Sequence, residues 1–258
     1  MIPKIIHYTW FSGEEMPDNL IQCMKSWKKQ NPDYTIKLWD MSSIQSIDSV
    51  FVKEAISLKK WAYAADYVRL WAIYNEGGIY VDTDCMLYNS FDSFLNERVF
   101  IGKENSIHFL DNIPAQFLSS HCFGAEKKHP YIKDCLSYYE NRHFITSTNQ
   151  KLPVPLRLNY VLLPYIQAEI ARLYGYDWKP LNQTIQHCKE GITIYPTEYF
   201  DTIEKKSHAI CQHLALGSWR EEKPKEPIYN LKYKLQWRFL FVLQYILKKF
   251  NYITLKID

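Results

Sequence analysis

Residues 2–10 (IPKIIHYTW) form an apolar, β-branched run that predicts a strand, and Ser12-Gly13 and Pro17 mark the loop that closes it. From Asp18, a residue type suited to an N-cap, Leu20, Ile21, Met24 and Trp27 recur at helical spacing as far as Gln30, and Asn31-Pro32 stops the pattern. Thr35 to Trp39 then reads as a second strand. Strand, helix, strand in that order predicts a parallel α/β sheet whose binding crevice lies at the carboxyl ends of its strands.

Residues 51–76 are patterned as helix in two segments, the second ending at Asn75-Glu76-Gly77-Gly78, where glycine can supply a left-handed C-cap. Ile79-Tyr80-Val81 follows as a short buried strand and runs directly into Asp82-Thr83-Asp84. Residues 85–222 mix short strands with helices such as 133–139 and 160–174, with Pro153, Pro155 and Pro180 in loops, and the chain shows no internal repeat. A charged, proline-broken stretch at 221–227 precedes a last helical pattern. The organisation expected is one catalytic-sized domain over 1–222 and a tail over 223–258.

At 258 residues and 47% hydrophobic, the chain is long and apolar enough for an ordinary globular core. No apolar stretch reaches the roughly 20 residues that span a bilayer, and the opening residues lack the core of a signal peptide, which predicts a cytoplasmic protein. Six scattered cysteines without a C-x-x-C pair suggest neither a zinc knuckle nor a disulfide framework, and buried thiols are expected. Residues 223–258 hold eight basic and two acidic side chains, so the rest of the chain carries −3 of a net +3. A slightly acidic body argues against nucleic acid as a partner. In the tail, Leu231, Leu235, Phe239, Val242, Ile246 and Phe250 form one stripe with Lys234, Arg238 and Lys248 toward the other side. That pattern fits a peripheral anchor on the anionic inner face of a membrane and fits equally a terminal helix packed on the domain. Aromatics at 16% are compatible with sugar or base stacking and with core packing.

Asp82 and Asp84 carry the sharpest chemical signal. At positions i and i+2 of a strand they project to one side, offering two hard oxygen ligands suited to Mg²⁺ or Mn²⁺ with room left for phosphate oxygens. One helix earlier, Asp66 and Arg69 lie one turn apart on a single face beside Ala62 and Ile73. Such a pair is either a surface salt bridge or a ligand-facing pair next to the carboxylate strand. A metal-dependent nucleotidyltransferase or phosphohydrolase would also use clustered carboxylates, but would need further acidic ligands that the sequence does not place there. A non-catalytic sugar-binding module would need neither pair.

The stretch KKWAYAADYVRLWAIYNEGGIYVDTD (59–84), together with IPKIIHYTW at the start and HLALGSW (213–219) near the end, resembles the DXD-containing glycosyltransferases of family 32. The resemblance covers about residues 2–95, thins at 121–131 and resumes at 208–219. It implies a GT-A fold, a Rossmann-like mixed sheet with flanking helices, and a metal-dependent, retaining transfer of a hexose from a nucleotide sugar. UDP-galactose or UDP-glucose is the favoured donor, and the acceptor implied is a saccharide, lipid-linked in bacterial surface polysaccharide synthesis. On the same resemblance Asp82 and Asp84 hold Mn²⁺ or Mg²⁺ on the diphosphate, and His213 is the third metal ligand, with His208 a weaker rival. Asp66 and Arg69 contact the donor sugar. His7, Thr9, Trp10 and Tyr80 belong to the nucleotide pocket, and Ser218 and Trp219 lie near the phosphates. Where relatives carry a Gly-Pro pair on the acceptor side, this chain reads Pro153-Val154-Pro155, which leaves the acceptor open and the donor chemistry intact.

Overall fold

A computed structural model describes residues 1–110, 113–152, 156–180, 182–201 and 208–216. The expected tail at 223–258, with its boundary at 222, lies outside the described residues, as do Ser218, Trp219 and Pro153-Val154-Pro155.

The amino-terminal pattern folds as it reads. Strand β1 (Ile5–Thr9), helix α1 (Asp18–Gln30) and strand β2 (Thr35–Trp39) follow in order, with β1 and β2 parallel. The first strand is shorter than the apolar run that predicted it. Asp18 does not cap α1: Pro17 holds the cap position without a side-chain bond, and Asp18 sits in the first turn, where the positive end of the helix favours a carboxylate. Ser49 does cap α2 (Val50–Ser57), its hydroxyl accepting from the Val52 N–H. Helix α3 (Trp61–Glu76) ends at Gly77 and gives way at once to β3 (Gly78–Val81), parallel to β1.

Beyond β3 the sheet becomes mixed, as the family resemblance implied and the opening strand-helix-strand pattern alone did not. Strand β4 (Cys85–Leu87) leaves it, β5 (Val99–Leu110) and β6 (Ile113–Ala125) form a long antiparallel ribbon, and β6 inserts beside β3 in the opposite direction. With β7 (Gln186–Cys188) and β8 (Ile192–Tyr195) the order is β2-β1-β3-β6-β5-β8-β7, a mixed seven-stranded sheet. The fold is therefore α/β, a mixed sheet flanked by helices. Helices α2, α3, α4 (Pro130–Ser137) and α5 (Leu163–Leu173) bury Phe51, Val68, Ile73, Ile132 and Ile166 on one face of the sheet. Trp27 from α1 and Phe200 from α6 (Thr197–Phe200) pack with Val81, Phe100 and Cys211 on the other. That second face also carries a small sheet in which β4 pairs antiparallel with β9 (Cys211–His213).

All six cysteines are free thiols, five of them buried and Cys188 partly so. Among the described residues no helix is long and apolar enough to cross a membrane.

Candidate active site

Because β1, β3 and β5 run the same way and β6 runs against them, residues just past Thr9, Val81 and Gly102 meet residues 120 and 121 at one edge of the sheet. A cleft of about 470 Å³ opens at that edge. Thr9, Trp10, Asp66, Arg69, Asp82, Thr83, Asp84 and His213 all line it.

The two aspartates converge differently from the strand reading. Strand β3 ends at Val81, and Asp82-Thr83-Asp84 form a turn in which the Cys85 N–H donates to the Asp82 carbonyl at 3.0 Å. The Asp82 N–H remains bonded to the His121 carbonyl at 2.8 Å, so β6 still fixes where the turn begins. Asp84 is held by the carboxyl-terminal strand: its carboxylate accepts from the Leu216 N–H at 3.1 Å and lies 3.3 Å from His213 Nε2. Register explains the meeting, since Cys85 pairs with His213 across β4 and β9. Burial works to raise the Asp84 carboxyl, but the His213 bond and charge outweigh it and hold it below its ordinary value. Burial likewise works to lower His213, and the Asp84 partner reverses that, leaving the imidazole raised.

Arg69 ties the helix to this turn. Its guanidinium lies 3.3 Å from Asp66 Oδ1 and 3.3 Å from Asp82 Oδ1, donates to the Ser120 carbonyl at 2.7 Å, and sits 4.4 Å over the Tyr80 ring. The helical pair expected from sequence is therefore buried and extends to the first aspartate of the motif, not a solvated surface bridge. Burial pushes the Asp66 carboxyl up to about 7 against the lowering effect of Arg69, and the charge of Asp82 adds to the rise.

Two residues expected in the nucleotide pocket, His7 and Tyr80, do not line the cleft. His7 is fully buried, its Nε2 at 2.9 Å from the Gly77 carbonyl and its Nδ1 accepting from the Trp39 indole at 3.1 Å, so it joins β1, β2 and the end of α3. Tyr80 is also fully buried, beneath the site; its hydroxyl donates to Asp82 Oδ1 at 2.9 Å and lies 3.0 Å from Thr9 Oγ1. His208 pairs with Glu198 at 3.1 Å, whereas His213 is the histidine gathered with Asp82 and Asp84. The sequence reading missed Glu104, Ser120, His121, Trp61 and Leu162, which also line the cleft. No local pattern marks them. His121 stacks on His213 with ring centroids 4.2 Å apart, a contact across 92 residues that only the fold creates.

The ligand atoms of Asp82, Asp84 and His213 lie within 4.8 Å of one another. Two carboxylates and an imidazole facing a cleft fit a divalent cation of the Mn²⁺ type, which accepts oxygen and nitrogen donors and leaves positions open.

The paired carboxylates of the D-x-D turn stand at the carboxyl edge of the sheet, where ligands of open α/β folds bind. Residues 17–101 match the family described as the glycosyltransferase sugar-binding region containing the DXD motif, a match that supports a DXD glycosyltransferase of the family 32 kind. It is 24% identical over 254 residues to inositol phosphoceramide mannosyltransferase 3 of Schizosaccharomyces pombe, an alignment covering 95% of this chain and 64% of the relative. It is 29% identical over 136 residues to the uncharacterized glycosyltransferase L373 of Acanthamoeba polyphaga mimivirus, covering 50% of this chain and 52% of that one. The chain thus spans between half and two thirds of the length of these relatives. Among solved structures it is similar to the PaToxG glycosyltransferase, with 19% identity, a TM-score of 0.47, and coverage of 67% of this chain and 69% of that one.

Proposed function

We propose that the protein transfers a hexose from a nucleotide sugar to a hydroxyl of a lipid-held saccharide or inositol headgroup, with a divalent metal and with retention of configuration. The observation that carries the reading is the convergence of Asp82, Asp84 and His213 on one point of the cleft, with Arg69 bracing Asp82 from behind. The named fungal relatives transfer mannose to inositol phosphoceramide, which favours an activated mannose as donor and a lipid headgroup as acceptor. UDP-galactose and UDP-glucose are the next donors to try. Those relatives favour the lipid headgroup over a bacterial surface polysaccharide as the setting.

In this reading Asp82, Asp84 and His213 would hold the metal, which would supply positive charge against the departing diphosphate. Arg69 keeps the Asp82 carboxylate aimed into the cleft. Asp66 accepts a hydrogen bond from a hydroxyl of the donor hexose, and Thr9 and Trp10 border the nucleotide end. Trp61 and Leu162 wall the opposite side and exclude water from the sugar carbon. The acceptor hydroxyl attacks from the face that the diphosphate leaves, and a diphosphate oxygen takes its proton.

Asp84→Asn tests the reading. It keeps the side-chain shape and one oxygen but removes the charge, so hydrolysis of the donor and transfer from it should fall by at least about 10²-fold. Circular dichroism should stay near wild type, and the melting temperature should fall only by the share that the Asp84–His213 pair contributes. Full activity of that variant in EDTA would refute the proposal.

A further inference from the structure

The β5–β6 ribbon outruns the sheet it belongs to. Strand β8 pairs with β5 only over Val99–Gly102, and β3 pairs with β6 only over residues 122–125. Past those points the hairpin leaves the sheet. Its foot is clamped: the Gln116 N–H donates to the Trp178 carbonyl at 2.8 Å, the Tyr176 hydroxyl to the Gln116 carbonyl at 2.8 Å, and the Asn105 N–H to Asp201 at 2.7 Å. Beyond the foot the ribbon turns apolar and open, with Ile107, Phe109 and Ile113 at 54%, 66% and 59% exposure.

Register places these side chains on both faces. Directly opposed residues of an antiparallel pair share a face, and the pairs are Ile107 with Gln116, Phe109 with Pro114, and Leu110 with Ile113. Ile107 and Phe109 therefore present one face and Ile113 the other. Leu110, on the Ile113 side, packs back against the core, so that side is open at Ile113 alone; a folded protein partner would cover one side of such a ribbon, whereas a lipid interface reaches the tip from both. Apart from Asp111, which lies outside the described residues, residues 105–115 hold no Asp, Glu, Lys or Arg, so the described residues carry no fixed charge to desolvate. At the foot, Glu104 lines the cleft. Phe109 lies five residue steps along the strand from Glu104, about 17 Å, a span comparable to a lipid headgroup that carries sugars.

We propose that the hairpin tip inserts Ile107, Phe109 and Ile113 into the interfacial zone of a lipid bilayer and so holds the cleft over the headgroup of a membrane-held acceptor. The acceptor clause rests on the glycosyl-transfer reading above; the insertion stands on the ribbon alone.

The test uses the full chain with Ile107→Cys, and separately Phe109→Cys, labelled with an environment-sensitive nitrobenzoxadiazole probe. Labelled wild type supplies the background from native thiols, and Leu173→Cys, an exposed position at the end of α5, supplies a site away from the tip. On adding phosphatidylcholine vesicles, with or without phosphatidylinositol, both tip labels should shift to the blue, brighten and become quenchable by bromolipids, while the label at 173 should not. Tip emission that vesicles leave unchanged overturns the proposal. So does a blue shift that grows with protein concentration in the absence of vesicles, because a second copy would then be the occupant. Donor hydrolysis measured on the same labelled protein reads the transfer chemistry separately, so its loss with the emission shift intact would fault the enzymatic reading and not the insertion.

Discussion

Arg69 is the side chain on which the most charge depends. Buried between Asp66 and Asp82 and laid over Tyr80, it compensates two carboxylates that water does not reach well. Arg69→Met would leave both uncompensated, and urea denaturation should show a loss of about 3–5 kcal/mol. Arg69→Lys should recover only part of it, because an ammonium cannot donate to Asp82, Asp66 and the Ser120 carbonyl in one plane. The partner carboxylate makes a prediction in pH. Burial raises Asp66 to about 7, against an ordinary 3.8 in the unfolded chain. Below that ordinary value both states hold the proton; between it and about 7 the folded chain keeps a proton that the unfolded chain releases. Stability contributed by this group therefore falls as pH rises across that window. Asp66→Asn removes the effect, so its melting temperature should drop less than that of wild type between about pH 5 and about pH 7.5. Parallel profiles for the two proteins would mean that the folded carboxyl ionises as easily as the unfolded one. Transfer should nonetheless fall in the variant, since the amide oxygen is a weaker acceptor for a sugar hydroxyl than a carboxylate.

At the scale of elements, the unit that matters is α3, the Gly77-Gly78 joint and β3. Gly77 and Gly78 both have positive φ, 72° and 106°, and a Cβ on Gly78 would stand 2.8 Å from the Ile5 carbonyl oxygen and 3.0 Å from His7 Nε2. Gly78→Ala therefore adds a clash with β1 to the backbone strain, and chemical denaturation should show a cost above about 2 kcal/mol with weakened Mn²⁺ affinity. Gly175→Ala is the matched comparison: φ is 105°, nothing lies within 4 Å of its Cβ, and only the strain of about 1 kcal/mol should appear. This unit was readable from sequence because the hydrophobic period changes from helical to extended at the glycine pair and the carboxylates come immediately after. The direction of β6 was not readable, since an antiparallel insertion beside β3 is decided by contacts made across the whole sheet. His7 shows a subtler limit. Alternation along β1 puts it on the same side as Thr9, but two residues farther from the strand's end, where Trp39 and the Gly77 carbonyl cover it. Periodicity gives the face of a strand and not the depth along it. His213 was reachable only through family resemblance, because the register that brings it to Asp84 joins segments 129 residues apart.

Across the whole molecule, the cleft is assembled from the ends of β1 and β3, the middles of β5 and β6, helix α3, and one short strand, β9, that does not belong to the central sheet. Three pairings hold β9 to β4, and the Leu214 and Leu216 N–H groups reach back to Asp84. Such a strand contributes little stability by itself, so a ligand that links His213 to Asp82 and Asp84 should stabilise this corner disproportionately. Free energy of binding adds to folding by mass action, about 2.7 kcal/mol at a hundredfold excess over Kd, which for a chain of this size corresponds to a melting shift of roughly 5–10 °C. Mn²⁺ with the cognate nucleotide sugar should produce that shift, Mn²⁺ alone a smaller one, and the nucleotide sugar in EDTA almost none. Asp84→Asn should abolish the metal-dependent part, and its unliganded melting temperature should be lower only by the share of the lost His213 pair. Hydrogen exchange should localise the gain to amides of 85–87 and 211–216. A full shift with nucleotide sugar in EDTA would separate donor binding from the carboxylates and place the weight of recognition on Thr9, Trp10 and the Asp66–Arg69 face instead.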